Sequence, residues 1–305
     1  MKKSLFRIGT AIVLMLALAV PMLFAAIEAE AAPRANLPTA SGVNVQANPR
    51  AEIDYSNARD GYVMVRWLDP TATDVRVTID GPAGIPYQYR INLAGRWEVL
   101  PLTCGNGDYT IRVLSRVVGG ANDGRFAAVL TLNTNVRLVD EFAPFLRPNQ
   151  FVNFNANSSV VALAEEIMDE DRPMLENVAA VYNWVVDNIE YDFELARTVQ
   201  SGYVPDLEHV LEVRRGICFD YASLMTAMLR SHGIPTRLVI GFVGDVHHAW
   251  ISVFSEQTGW VNNIIQFDGK TWRIMDPTFA STANQSAEVM QFIGTGDNHR
   301  QAFVH

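Results

Sequence analysis

Arg215-Gly216-Ile217-Cys218-Phe219-Asp220-Tyr221-Ala222-Ser223-Leu224 places a cysteine directly after a glycine and at the head of an apolar run. Downstream, Tyr221, Ala222, Met225, Met228 and Leu229 recur at helical spacing, and Gly233 followed by Pro235 supplies a stop. The pattern predicts a helix over 218–231 with the thiol in its first turn. The thiolate is the nucleophilic form of cysteine, and a helix N-terminus or a neighbouring imidazolium lowers a thiol pKa. Gly216 permits a tight turn into that helix and a close approach of substrate backbone. A lone cysteine is more often a small buried hydrophobe, so other residues have to support a catalytic reading.

Two further features do so. His248 stands 30 residues on, in His247-His248-Ala249-Trp250-Ile251-Ser252-Val253 at the mouth of an expected strand. A base there could take the thiol proton and return it to a leaving amine. Neighbouring strand residues face opposite ways, so only one of His247 and His248 can meet the cysteine, and spacing alone does not choose. Asp276, 28 residues after His248, ends a strand in Met275-Asp276-Pro277-Thr278. Its carboxylate could fix the imidazole tautomer, although Asp-Pro is also a common turn.

The nucleophile segment, His248-Ala249-Trp250 and Asp276-Pro277-Thr278 resemble, in order, the cysteine, histidine and aspartate motifs of the transglutaminase-like superfamily, papain-related cysteine enzymes. Leu229 to Arg237 resembles the segment after the family's nucleophile helix, and Trp184 to Asp192 the helix before it. The resemblance covers about residues 173–280. It implies a triad of Cys218, His248 and Asp276, with His248 preferred over His247. It implies attack on an amide carbon, a thioester on the enzyme, and transfer of the acyl group to an amine or to water. Backbone N–H groups at the helix start would hold the oxyanion. Family members add an upstream side chain; Tyr203 or a neighbour is a candidate that the motif does not settle. Asp220, two residues past the cysteine, is read as capping or solvated rather than catalytic.

Upstream of the nucleophile, Leu175, Val178, Ala179, Tyr182, Val185, Val186 and Ile189 form a helical stripe over 174–189, read as core together with Trp184. A further helix is expected over 158–168. Downstream, strands are expected over 237–243 and 248–254, then a hairpin of 264–267 and 271–275 joined by Asp268-Gly269. The fold class expected is therefore α+β, transglutaminase-like (papain-like) over 141–305.

The preceding part reads as β. Runs 61–67, 75–79, 87–91, 109–114 and 126–132 are β-branched, aromatic or alternating, and turn clusters such as Asp80-Gly81-Pro82 separate them. This spacing predicts an Ig-like β-sandwich accessory domain over 51–140. Residues 32–50 lack periodicity and read as a disordered lead.

Residues 1–31 read as a signal peptide. Lys2, Lys3 and Arg7 precede an apolar stretch from Ile8 to Ile27, and Ala29-Glu30-Ala31-Ala32 supplies small residues for cleavage after Ala31 or Ala32. An uncleaved anchor is the alternative. The expectation is export by a Sec-type signal of bacterial kind to the extracellular space or cell surface, with no stable membrane insertion after cleavage.

The bulk properties limit partners. The 305 residues carry a formal net charge of −9 with no basic cluster, which argues against nucleic acid. Protein or peptide substrates, cell-wall peptides included, are the expected partners. The two cysteines, Cys104 and Cys218, are read as separate thiols. No zinc or calcium ligand spacing, P-loop, dinucleotide fingerprint or serine elbow occurs, so no cofactor or metal is expected. The competing reading is a non-catalytic transglutaminase-like scaffold whose β-sandwich binds a surface or cell-wall ligand.

Overall fold

Alternation in the first hundred described residues produces antiparallel sheet. The computed structural model describes residues 37–305 apart from 73, 92, 244, 262–265, 268–271 and 274–298. Strands β1 (Val45–Ala47), β2 (Ala51–Asp54), β3 (Tyr62–Trp67) and β6 (Trp97–Pro101) form one sheet in the order β1-β2-β3-β6. Strands β4 (Val75–Asp80), β5 (Pro86–Ile91), β7 (Gly107–Arg116) and β8 (Phe126–Val136) form a second in the order β5-β4-β7-β8. Every pairing in the two is antiparallel. In β4 the apolar residues Val75, Val77 and Ile79 are buried while Arg76, Thr78 and Asp80 are not, as period-two alternation demands. Ile53, Val63, Val65 and Leu100 from the first sheet enter the same core as Val77, Ile111 and Val113 from the second.

The stretch 32–50 expected to be a disordered lead holds β1. Its three residues are all exposed, so no alternation announces the strand. Pairing with β2 holds it, and the Asn48 side-chain carbonyl accepts from the amides of Arg50 and Ala51 in the turn between the two.

Beyond Phe142 helices take over. They are α1 (Ser159–Ile167), α2 (Met174–Asn188), α3 (Phe193–Thr198), α4 (Leu207–Val213) and α5 (Cys218–Ser231). Helix α2 buries Leu175, Val178, Val181, Tyr182 and Val185, one face of a 3.6-residue repeat. The short helices α3 and α4 follow Asp192 and Asp206, whose carboxylates accept from Leu195 and His209 amides. Two-residue strands β9 (Glu190–Tyr191) and β10 (Arg215–Gly216) pair parallel and tie the end of α2 to the turn before α5.

Helix α5 is buried over almost its whole length, from Asp220 to Arg230, so it forms the axis of this part of the protein. On it lies an antiparallel sheet of β11 (Thr236–Val243), β12 (Val246–Ser255), β13 (Gly259–Val261) and β16 (His299–Val304), in the order β13-β12-β11-β16. Strands β14 (Gln266–Phe267) and β15 (Trp272–Arg273) pair as the expected hairpin places them, and the joining residues lie outside the described ones. The architecture is α+β, with a β-rich region ahead of the helical core.

The C-terminal strand is anchored internally. Arg230 is fully buried, and no side-chain carboxylate among the described residues pairs with it. It donates instead to the carbonyls of Thr236, Arg147 and His305 at 2.7–2.9 Å. Burial lowers its pKa to about 9. His305 packs edge-on against Tyr87, Tyr89 and Phe151 and meets the Tyr89 hydroxyl at 3.1 Å through Nδ1.

Candidate active site

The turn into α5 is built to present its first side chain. Gly216 leaves no room for anything larger: a Cβ there would sit 2.7 Å from Cβ of Asp220. Asp220 is fully buried and accepts the Ile217 amide at 2.8 Å and the Tyr203 hydroxyl at 2.7 Å. A carboxylate in the first turn satisfies an N–H that the helix leaves orphaned and complements the macrodipole. The capping reading of Asp220 therefore describes it, without the solvent. Desolvation nonetheless raises its pKa, against the lowering by its two donors.

Cys218, thus placed, lies against β12. The backbone N–H of Ala249 is directed at its sulfur, as is that of Phe219. Ala249 follows His248, so the structure brings the cysteine and histidine segments together. Strand alternation separates the histidines: His248 is buried, while His247 is exposed with its ring 5.3 Å from Phe242. Opposite His248 in the register stands Gly241, at an irregularity in the β11–β16 pairing. A Cβ on Gly241 would strike the Arg300 carbonyl and approach the Trp250 ring to 2.7 Å, so this strand crossing requires glycine. Asp276 lies outside the described residues.

A thiol at a helix N-terminus should be acidified, yet here burial decides. Desolvation pushes Cys218 up to about 11, with Asp220 adding to the rise. The Ala249 and Phe219 amides and the Tyr191 hydroxyl act the other way. The resting group is therefore a neutral thiol, which needs a base to remove its proton.

Tyr191 is a site residue that the motif reading passed over. Its hydroxyl hydrogen-bonds the Cys218 side chain and accepts from the Cys218 backbone N–H. Burial, with the adjacent thiol next, pushes Tyr191 up to about 12, so it stays a donor at neutral pH. Tyr191-Asp192 ends the upstream segment of the resemblance, and parallel pairing with β10 carries the ring to the turn before α5. Tyr203, the earlier candidate, is committed to Asp220. Cys104 is also a free thiol, and burial raises its pKa. Among the described residues no group of three or more His, Cys, Asp or Glu is placed to hold a metal ion.

Residues 161–263, which run from α1 through α5 to β13, match the family model described as the transglutaminase-like superfamily. Over this stretch, about a third of the chain, the protein is transglutaminase-like. The chain is 26% identical over 127 residues to human kyphoscoliosis peptidase, covering 41% of this chain and 19% of that protein. It is 26% identical to the protein-glutamine gamma-glutamyltransferase of Pseudomonas aeruginosa, covering 30% of this chain and 14% of that protein. The chain thus spans about a fifth or less of the length of these curated relatives. Among solved structures, the periplasmic domain of TgpA from Pseudomonas aeruginosa shares 16% identity at a TM-score of 0.31, covering 66% of this chain and 87% of that one.

Proposed function

We propose that this chain is an exported cysteine enzyme that attacks an amide or peptide bond of a protein or peptide substrate through Cys218, with His248 as base and Asp276 orienting it. The observation that carries the reading is the seating of the Cys218 sulfur at the head of α5 under the Ala249 amide, one residue along β12 from buried His248. His248 takes the thiol proton as sulfur attacks the carbonyl carbon. The proton passes to the leaving nitrogen, an amine or ammonia departs, and an acyl thioester remains. An incoming amine or water then releases the acyl group and restores the thiol.

Developing charge on the carbonyl oxygen needs donors already in place. The Cys218 N–H, bonded to the Tyr191 hydroxyl, and that hydroxyl beside the thiol are the donors this reading assigns to the oxyanion. The basic, apolar and small-residue run of 1–32 supports export and action on extracellular or surface proteins, cell-wall peptides included.

The test uses a glutamine-containing peptide with and without a primary amine, following ammonia release and amine incorporation by mass spectrometry. Cys218-dependent release of ammonia or of a peptide fragment supports the reading, and amine incorporation identifies transfer over hydrolysis. The absence of any Cys218-dependent product across a library of unfolded protein substrates leaves the scaffold reading in its place.

A further inference from the structure

Beside the edge of the first sheet lies a cleft of about 620 Å³, whose walls include Trp97 and Val99 of β6, Asn149, Gln150 and Asn155 of the following connector, and Val204. We propose that this cleft binds an extended stretch of polypeptide, which adds to the edge of β6 and hydrogen-bonds the Asn149 and Gln150 amides. The inference rests on the proposed action on protein substrates and gives the β-rich region a part in holding them.

Strand β6 ends its sheet, and among the described strands β3 alone pairs with it there. The Leu102 amide donates to Gly61 at 2.8 Å and the Val99 carbonyl accepts from Gln150 at 3.1 Å. Together these set the antiparallel alternation: Glu98 and Leu100 turn their main-chain groups to β3, and Trp97 and Val99 turn theirs outward. The Val99 N–H points outward by the same alternation. Pro101 occupies the next outward position, where no N–H is needed. With the Val99 carbonyl taken by Gln150, the outward N–H of Val99 and the main-chain groups of Trp97 are the part of the edge left to template an added strand.

The connector offers the matching pair. Asn149 and Gln150 are 3% and 7% exposed. The Asn149 carbonyl accepts the amides of Phe151 and Val152, while its Nδ2 lacks an acceptor. Gln150 Nε2 donates to the Arg90 carbonyl at 2.6 Å and to Glu98 at 3.2 Å, while its Oε1 lacks a donor. One spare donor and one spare acceptor on adjacent residues complement the C=O and N–H of a peptide group. Buried amide atoms left unpaired are uncommon and are costly until a partner arrives.

The cleft also backs onto the nucleophile turn. The Phe151 ring, next to Gln150, lies 5.4 Å from that of Phe219, the residue after Cys218. Tyr203, next to Val204, bonds Asp220 and brings its ring within 6.4 Å of Phe219. A chain held at β6 is one layer of rings from α5.

The experiment uses the full chain with Cys218→Ala, so that binding is read without turnover. The probe is fluorescein-labelled dimethylated casein, an unfolded polypeptide, followed by anisotropy, with hydrogen exchange of the same protein in parallel. Casein should slow exchange over 96–100 and 148–152. Val99→Pro, which removes the outward N–H and keeps the carbonyl bond to Gln150, should weaken binding about tenfold. If exchange at those segments is unchanged by casein, the proposal is overturned, and this readout stands whether or not Val99→Pro folds. A folded Val99→Pro that binds casein like its parent overturns it too. Displacement of casein by tetra-N-acetylchitotetraose overturns it in favour of a glycan site. A Cys218 that proves chemically inert defeats the enzyme reading without touching this result.

Discussion

Lowering the pH from 7 to 4 should remove about 3 kcal/mol of stability through His305 alone. Its imidazole is fully buried, and desolvation, with the Arg230 charge second, brings its pKa from 6.5 to about 3. The unfolded chain takes up a proton at this residue below pH 6.5 and the folded chain does not until about pH 3. The contribution is therefore complete above pH 6.5 and is lost as pH falls, by about 1.4 kcal/mol per unit, down to the folded pKa. Asp220 and Glu98 work in the opposite direction, because burial raises both carboxyls and each gains protons more readily when folded. The measurement is therefore a difference. Urea unfolding midpoints at pH 7, 5 and 4 are compared for the native chain and His305→Phe, which keeps the ring among Tyr87, Tyr89 and Phe151. The variant loses the Tyr89 contact and should start about 1 kcal/mol less stable at pH 7. By pH 4 it should be the more stable protein. An unchanged acid slope in His305→Phe would refute the placement of a neutral buried imidazole.

Other expectations concern the nucleophile turn and its neighbours. Asp220→Asn leaves one of two buried donors without an acceptor and should cost about 1–3 kcal/mol, read as a lower melting temperature; an unaltered melting curve would show that neither bond matters. Gly241→Ala forces a Cβ against the Arg300 carbonyl and should cost more than about 2 kcal/mol in urea unfolding, whereas Gly233→Ala, with open space, should be limited by its φ of +73° alone. Tyr191→Phe removes the hydroxyl that lowers the Cys218 pKa, so iodoacetamide should label Cys218 more slowly at a fixed pH near 9; faster labelling would mean that the phenol shields rather than polarises the thiol.

Periodicity carried much of this architecture. The buried face of α2 recurs at helical spacing, and β4 alternates without interruption, so there local sequence and tertiary burial agree, whereas α5 is buried on all sides although its large apolar residues keep the helical repeat. The three-residue β1 is exposed throughout and shows no alternation. β16 spells His299-Arg300-Gln301-Ala302-Phe303-Val304, three polar residues then three apolar ones with no alternation, made into a strand by pairing with β11, which lies more than fifty residues earlier. β6 is short and ends on proline, and its partner β3 is separated from it by a hairpin of the other sheet. Such pairings are set by tertiary contact rather than by propensity.

At the site, motif order placed Cys218 at the first position of α5 and His248 on β12; alternation left His247 and His248 open, the resemblance preferred His248, and it is His248 that the structure buries. Two things were not legible. Tyr191 reaches Cys218 only through the parallel β9–β10 contact, which no local pattern announces. The direction of the Cys218 pKa depends on how completely neighbours exclude water, and in this turn burial outweighs the helix end.

The central claim, a thiol activated by His248, is tested most directly by acylation with p-nitrophenyl acetate near pH 7.5, with peptide mapping of both cysteines. The native chain should give a burst of nitrophenol equal to the enzyme, with the acetyl group on Cys218. Cys104, a half-buried free thiol outside the motifs, serves as the internal standard. His248→Ala should slow the Cys218 reaction by about a hundredfold or more and leave Cys104 unchanged. A Cys218 that acylates no faster than Cys104, or that ignores the loss of His248, would contradict the account.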